Sequence, residues 1–559
     1  MVFSDFLCEL SRRFKRIKVT LDLHMKKLQI WLPLLLAVVL IIGMRIGYQL
    51  HENVPASKGI FSLGNRSAVQ EVIDLINAKY VDPLNTDTIS DDAIEALLLH
   101  LDPHSVYIPA RSLASVNEDL QGNFEGIGVE FHIIKDTVHV ITVMEDGPSD
   151  VAGLLPGDRF LTVGDSLVAG NSISADRIKK LLRGERNSQV AVTILRDGAK
   201  KAVTIKRGTI PLYSVDAAYM MDAQTGYIHL NKFSGTTYEE FMQAMEKLQE
   251  QGMTRLIFDL RNNGGGILGE AVDIIDEFLD GNKLIVYTEG DKLKKQEFRC
   301  KRPGLFEEGE LVVLVDEGSA SASEVVAGAL QDWDRATVIG RRTFGKGLVQ
   351  EQYSLSGGSA LRLTVARYYT PTGRSIQKSY ENGRMNYLGE VHDRLQNGEM
   401  IYPDSVTVNT GKAFRTKGGR TVYGGGGITP DIHVPLDTSG FTGNVGPIFD
   451  NQHFSKFIYA YYLANKSYFN QFTSPDEFAD KYVPDEAAWN ALVAYLDAEG
   501  VNYDPVSPND KEELKKRIKS WMARQLWRLQ GYYQVVNRND QTIRTAFDKA
   551  FGQPVLQKK

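Results

Sequence analysis

At 559 residues the chain is too long for a single core, and two to four domains are expected. Hydrophobic residues make up 43% and charged residues 24%, the proportions of ordinary globular protein, and a net charge of -6 gives no reason to expect nucleic acid as a partner. Two cysteines and ten scattered histidines exclude a disulfide scaffold and argue against a metal site, and no cofactor is expected.

The N-terminus is the one place where charge and hydropathy are strongly patterned. Residues 28–44, LQIWLPLLLAVVLIIGM, are apolar without a formal charge, and the stretch reaches about Leu50 if Arg45 snorkels to the interface. That is just long enough for a tilted spanning helix. Arg12, Arg13, Lys15, Arg16, Lys18, Lys26 and Lys27 precede it, an excess that keeps residues 1–27 in the cytoplasm and sends the body across. The expectation is a single-pass inner-membrane protein anchored through residues 28–50, with a periplasmic or otherwise extracytoplasmic body. No small-residue cleavage site follows the apolar run, where Arg45, Tyr48 and Gln49 stand instead, so an uncleaved anchor is favoured over a signal peptide. Met25-Lys26-Lys27 is an alternative start for the same segment. Cys8 and Cys300 then lie on opposite sides and do not pair.

Residues 51–118 read as a polar linker followed by a small helical subdomain, with Val69, Val72, Ile73 and Ile76, then Ile94, Leu97, Leu98 and Leu101, at helical spacing. Asp102-Pro103 interrupts them with a turn and separates His100 from His104. Between 119 and 207 the texture changes to short strands and glycine turns: Gly126 to Phe131, His139 to Met144, Arg159 to Val163, then a hairpin across Asp197-Gly198. With GIGVEF and AGLLPGD in order before that hairpin, the segment resembles a PDZ domain. The resemblance implies that a peptide adds as an extra strand on a sheet edge, its terminal carboxylate held by backbone amides at Gly126, Ile127 and Gly128.

From 208 to 437 strands alternate with helices. Arg255 to Leu260 is a buried-strand pattern running into Arg261-Asn262-Asn263-Gly264-Gly265-Gly266, with a helix from Leu268 to Leu279. Leu311 to Val315 is a second strand, ending at Gly318-Ser319-Ala320-Ser321-Ala322-Ser323-Glu324, and a helix follows to Leu330. Thr337 to Ile339 is a third, leading to Gly345-Lys346-Gly347 and Gln350. Residues 438–559 are helical and aromatic-rich; packing against the core is the only role expected of them.

A serine hydroxyl is a poor nucleophile until a base takes its proton, and an unprotonated lysine can be that base. The helix beginning at the serine turn aims amides at it, favouring developing negative charge. The residues alone do not choose among Ser319, Ser321 and Ser323, and a serine helix cap without catalytic role fits the same pattern. The lysine has a rival reading, since Gly340 to Lys346 fits the start of a phosphate-binding loop. Gly347 stands where Ser or Thr would bind magnesium, and Leu348 to Tyr353 reads as a strand rather than a helix, which disfavours it.

The segments DLRNNGG from Asp259, SASASE from Ser319, Gln331-Asp332, TFGKGLVQ from Thr343, RYYTPTGRSI from Arg367 and LDPHS from Leu101 resemble the C-terminal processing peptidases, or tail-specific proteases. The resemblance spans about residues 66–437 and implies a mixed α/β core of the crotonase/Clp-like type. By motif position it makes Ser321 similar to the family's nucleophile, Lys346 to its general base and Gln350 to the residue orienting that lysine. The amides of Ala322 and of Gly264 or Gly265 would form the oxyanion hole. A free lysine titrates near ~10.4; burial beside Phe344 and Val349 lowers that, and Gln350 accepts from the amine without adding a charge.

The chain departs from the family where residues 380–426 intervene between Gln377 and Gly427-Ile428-Thr429-Pro430-Asp431. This insertion is either a surface excursion or a cover for the substrate tunnel. The whole reads as an α+β multidomain protein: membrane helix, helical subdomain, PDZ domain at 119–207, protease core at 208–437 and helical extension at 438–559. The function expected is a membrane-anchored serine endopeptidase taking protein substrates by their C-termini, with the oligomeric state left open. A non-catalytic membrane-anchored PDZ scaffold is the alternative, disfavoured because Ser321, Lys346 and Gln350 are all present.

Overall fold

The computed structural model describes residues 37, 39–41, 68–82, 84–402, 411–438, 440, 443, 445–503 and 505–552. The expected cytoplasmic segment, Cys8 and nearly all of the expected anchor at 28–50 lie outside the described residues. Among those described, no helix is long and apolar enough to cross a membrane. The chain divides into two units, Met1–Asp87 and Thr88–Lys559. In the first, the expected helix forms over Ala68–Lys79 but buries none of its residues.

In the second unit, the strand Asn123–Gly126 pairs antiparallel with Gly208–Pro211. The residues between them form a separate β-domain, which thus enters and leaves through one two-stranded ribbon. Its sheet runs from Val129–Ile134 at one edge through Thr137–Val143, Arg159–Val163 and Gln189–Arg196 to Ala199–Lys206, with Ser166–Leu167 beside the third. The last two pair from Gln189↔Lys206 to Arg196↔Ala199 across Asp197 (φ 50°) and Gly198 (φ 79°). Positive φ at both central residues matches the strand twist, which is why Asp-Gly marks the turn. Val138, Val140, Leu154, Phe160, Ile178 and Ile194 form its core.

The larger core is built on a six-stranded sheet in the order Val215–Met220, Thr225–Leu230, Arg255–Asp259, Glu310–Val315, Thr337–Gly340, Ile432–His433. The first pair is antiparallel and the rest parallel. Their continuous apolar runs follow from burial on both faces. Leu256 and Phe258 point to the helices Thr237–Glu250, Leu268–Asp276 and Ala322–Asp332. Ile257, Val312 and Leu314, on the opposite face, pack on Ile543, Ala546, Phe547 and Phe551 from the end of the chain. The helical extension therefore supplies a layer of the core instead of only resting on it. A second sheet joins Val106–Ile108, Leu348–Ser354, Leu284–Glu289 and Gln296–Arg299 around Ala360–Tyr369. The insertion carries the helix Arg384–Gln396, with Tyr387 and Arg394 buried.

Candidate active site

Three adjacent parallel strands pair Asp259 with Leu314 and Val315 with Gly340. Their C-terminal ends are level, so the loops that follow leave the sheet along one edge. The first loop reaches the serine turn only because it is glycine. A Cβ on Gly265 (φ +92°) would stand 2.6 Å from Ala320 O and 2.7 Å from Ser321 Cβ, whereas one on Gly264 would meet open space. Asn263 fixes this approach: its carbonyl accepts from Ala320 N and Ser323 Oγ, both at 2.9 Å.

The three serines differ in their surroundings. Ser319 is buried and donates to Leu260 O at 2.8 Å while accepting from Asp316 N. Ser323 is buried and bonded to Asn263 O. Ser321, at the helix start, is half-buried and has φ 58°, ψ -115°. A non-glycine residue at positive φ costs of order 1–3 kcal/mol and persists only where its surroundings hold it.

Glu324 is what holds it. This fully buried carboxylate accepts through Oε2 from Ser321 N (2.9 Å) and Lys346 N (2.8 Å), and through Oε1 from Thr343 Oγ1 (2.5 Å) and Gly345 N (2.8 Å). Burial raises its pKa against these four donors. One side chain thus clips the serine turn to the lysine loop. Sequence reasoning assigned Glu324 no role, although Ser-x-x-Glu is the capping-box spacing that could have found it.

Lys346 Nζ donates to Gln350 Oε1 at 3.0 Å. Burial, helped by the charge of Arg362, lowers the lysine pKa from 10.5, opposed by Asp102 and Glu324. Gln350 sits where the strand register shifts after Val349, a bulge that re-aims its side chain. The Gln350 amide donates to His104 O. His104 belongs to a turn that Asp102 fixes by accepting from His104 N, Ser105 N and Ser105 Oγ. Tyr368 donates to Lys346 O. No sequence signal marks these contacts of His104 and Tyr368, which are long-range in the chain.

Of the expected oxyanion donors, the Ala322 and Gly264 amides donate to no group among the described residues. The Gly265 amide does not share that freedom: it donates to Asn263 Oδ1 at 2.9 Å, and this glycine serves the close approach instead. In the β-domain the edge strand Val129–Ile134 pairs, among the described residues, on one side only. Among the described residues the Ile127 and Gly128 amides just before it meet no acceptor, while Gly126 ends the ribbon opposite Gly208. Among the described residues no cluster suits a metal ion.

Residues 224–383 match the sequence profile of Peptidase family S41, residues 126–206 that of the PDZ domain, and residues 446–528 that of a family of unknown function, DUF8443. A probable CtpA-like serine protease of Staphylococcus epidermidis is 33% identical over 351 residues, covering 62% of this chain and 70% of that one. The chain belongs to the C-terminal processing peptidases of family S41. A probable CtpA-like serine protease of Staphylococcus aureus (strain MRSA252) is 36% identical over 315 residues, 56% of this chain and 62% of that protein. Among solved structures, a photosystem II D1 C-terminal processing protease is 28% identical with a TM-score of 0.33, covering 66% of this chain and 87% of its own. The S41 match contains Ser321, Lys346 and Gln350 and reaches Gly383, where the insertion helix begins. This S41 member is thus a serine protease with a PDZ domain between its ribbon strands.

Proposed function

We propose that the chain is a membrane-anchored serine endopeptidase that cuts extracytoplasmic proteins near their C-termini with a Ser321–Lys346 dyad. Neutral Lys346 takes the proton of Ser321 as the hydroxyl attacks the scissile carbonyl. The oxyanion is held by the Ala322 and Gly264 amides, and the lysine returns the proton to the leaving amine. Water then attacks the acyl-enzyme, giving a proton to Lys346, which passes it to Ser321 Oγ as the Oγ–acyl bond breaks and the new carboxyl terminus leaves. Gln350 orients the amine without charging its surroundings.

The observation that carries this reading is a half-buried lysine amine 3.0 Å from a neutral acceptor, its loop clipped by Glu324 to the strained Ser321. The PDZ reading is supported by the one-sided edge strand, on which a substrate's last residues would pair, their carboxylate meeting the Ile127 and Gly128 amides. The anchor at 28–50 and the extracytoplasmic body rest on the apolar run and its basic flank. Ser321→Ala and Lys346→Ala should each abolish cleavage of an unstructured protein substrate while leaving fold and peptide binding intact. Full activity in Ser321→Ala with loss in Ser323→Ala would move the nucleophile.

A further inference from the structure

The insertion folds back onto the loop that carries Lys346. From its helix, Arg394 donates through Nη1 to Arg342 O and through Nη2 to Thr343 O, each at 2.9 Å. Arg342 reaches back to Glu399 and Glu390. Two turns earlier, the Tyr387 ring stands edge-on to Phe344 with centroids 5.7 Å apart, and its hydroxyl bonds His104 Nε2 at 2.7 Å. Just before the insertion, Lys378 Nζ lies 3.8 Å from the Phe344 ring centroid and 4.5 Å from that of Tyr387. The backbone amide of Lys378 donates to Gly345 O.

We infer that this helix is a positioning element for the general base: Arg394 and Tyr387 fix the 342–347 loop and, through His104, the Gln350 that orients Lys346. The inference rests on Lys346 being the base. A loop with glycine at 345 and 347 has little stiffness of its own, and a reacting group must be held within about 0.5 Å of its productive position. A planar guanidinium spanning two successive carbonyls supplies that stiffness. Burial and the charge of Lys346 bring His104 to about 4, so its ring is neutral at working pH and exchanges one hydrogen bond with Tyr387. The charged and titratable groups around this pair come from every neighbouring element: Arg362 from strand Ala360–Tyr369, Asp102 from the turn, Glu324 from the serine helix, Lys378 just before the insertion and Arg384 at the start of its helix.

Loosening the loop should hydrate Lys346 and move its titration upward. The full chain carrying Tyr387→Phe, Arg394→Lys or Arg394→Met is assayed for kcat and KM from pH 6 to 10, with Tm alongside and Lys346→Ala as control. Tyr387→Phe keeps the ring and removes only the hydroxyl. It should lower kcat at pH 7 about tenfold with KM nearly unchanged, and move the rising limb of the profile up by about half to one pH unit. Arg394→Lys should retain more activity than Arg394→Met. Wild-type kcat and an unmoved limb in Tyr387→Phe overturn the inference while leaving the dyad standing, and so does activity that falls only in step with Tm. An active Lys346→Ala overturns the dyad itself. If Arg394→Met does not fold, Tyr387→Phe decides alone.

Discussion

Glu324 concentrates the site's geometry in one side chain. Each carboxylate oxygen takes two donors, one pair from Ser321 N and Lys346 N and the other from Thr343 Oγ1 and Gly345 N. Glu324→Gln keeps the shape but turns an NH2 toward two buried donors. An unsatisfied buried donor costs about 1–3 kcal/mol; Tm should fall, and kcat/KM should drop at least about a hundredfold, the effect of a lost oxyanion donor. Wild-type kcat/KM in that variant would remove Glu324 from the account. At this scale the sequence was legible where a residue's neighbours are local. The Ser321 segment, Lys346 and Gln350 stand in short motifs; the first two follow strands of the six-stranded sheet, and Gln350 reaches Lys346 from a strand of the second sheet. Legibility stopped where contacts are long-range: the bulge after Val349, the Gln350 amide on His104 O, and the Gly265 amide spent on Asn263.

Elements follow the same division. The parallel strands were readable from continuous apolar runs, and the hairpin at Asp197-Gly198 from its turn residues, because both signals come from local backbone preference. The insertion was not readable, since a polar, charged segment has the same composition whether it lies on the surface or braces a loop. Its helix is held partly by charge. Burial of Glu390 is outweighed by Arg394, Lys378 and Arg342, which bring its carboxyl to about 2 from an ordinary 4.5. A carboxyl depressed in the fold contributes stability above its unfolded value, and that contribution is lost as pH falls from about 4.5 towards 2. The wild-type protein should therefore lose Tm faster than Glu390→Gln between pH 5 and 3. Parallel curves would show that this network contributes nothing to the fold.

On the scale of the whole molecule, the helical extension joins the parts that the function needs. Tyr459, Gln525 and Arg528 donate to the carbonyls of Val140, Ile141 and Val143 in the PDZ domain. Beyond a kink at Trp527 and Arg528, the same chain reaches the core, where Tyr533 bonds His229 and Asp540 pairs with Arg261 at 2.7 Å. Arg261 directly precedes the 262–266 loop and also grips the buried Asp259. The aromatic content of this tail predicted packing but not its partner, because which face of a sheet is left uncovered is a property of the assembled fold. Phe547→Ala should cost about 3–5 kcal/mol, as a buried aromatic truncation does, and lower the denaturation midpoint of the whole unit. An unchanged midpoint would make the extension an ornament.

The central claim is that a neutral, partly desolvated Lys346 activates Ser321. It is tested most directly by the rate at which a fluorophosphonate phosphonylates Ser321, with loss of fluoride, as pH is varied, in the wild type and in Lys346→Ala. Labelling is a single chemical event, so product release does not mask it. The account predicts a wild-type rate that rises with pH through one ionisation below the ordinary 10.5 of lysine, and a Lys346→Ala rate at least about a thousandfold lower with that ionisation gone. Labelling of Ser321 in Lys346→Ala at the wild-type rate and with the wild-type profile would contradict it.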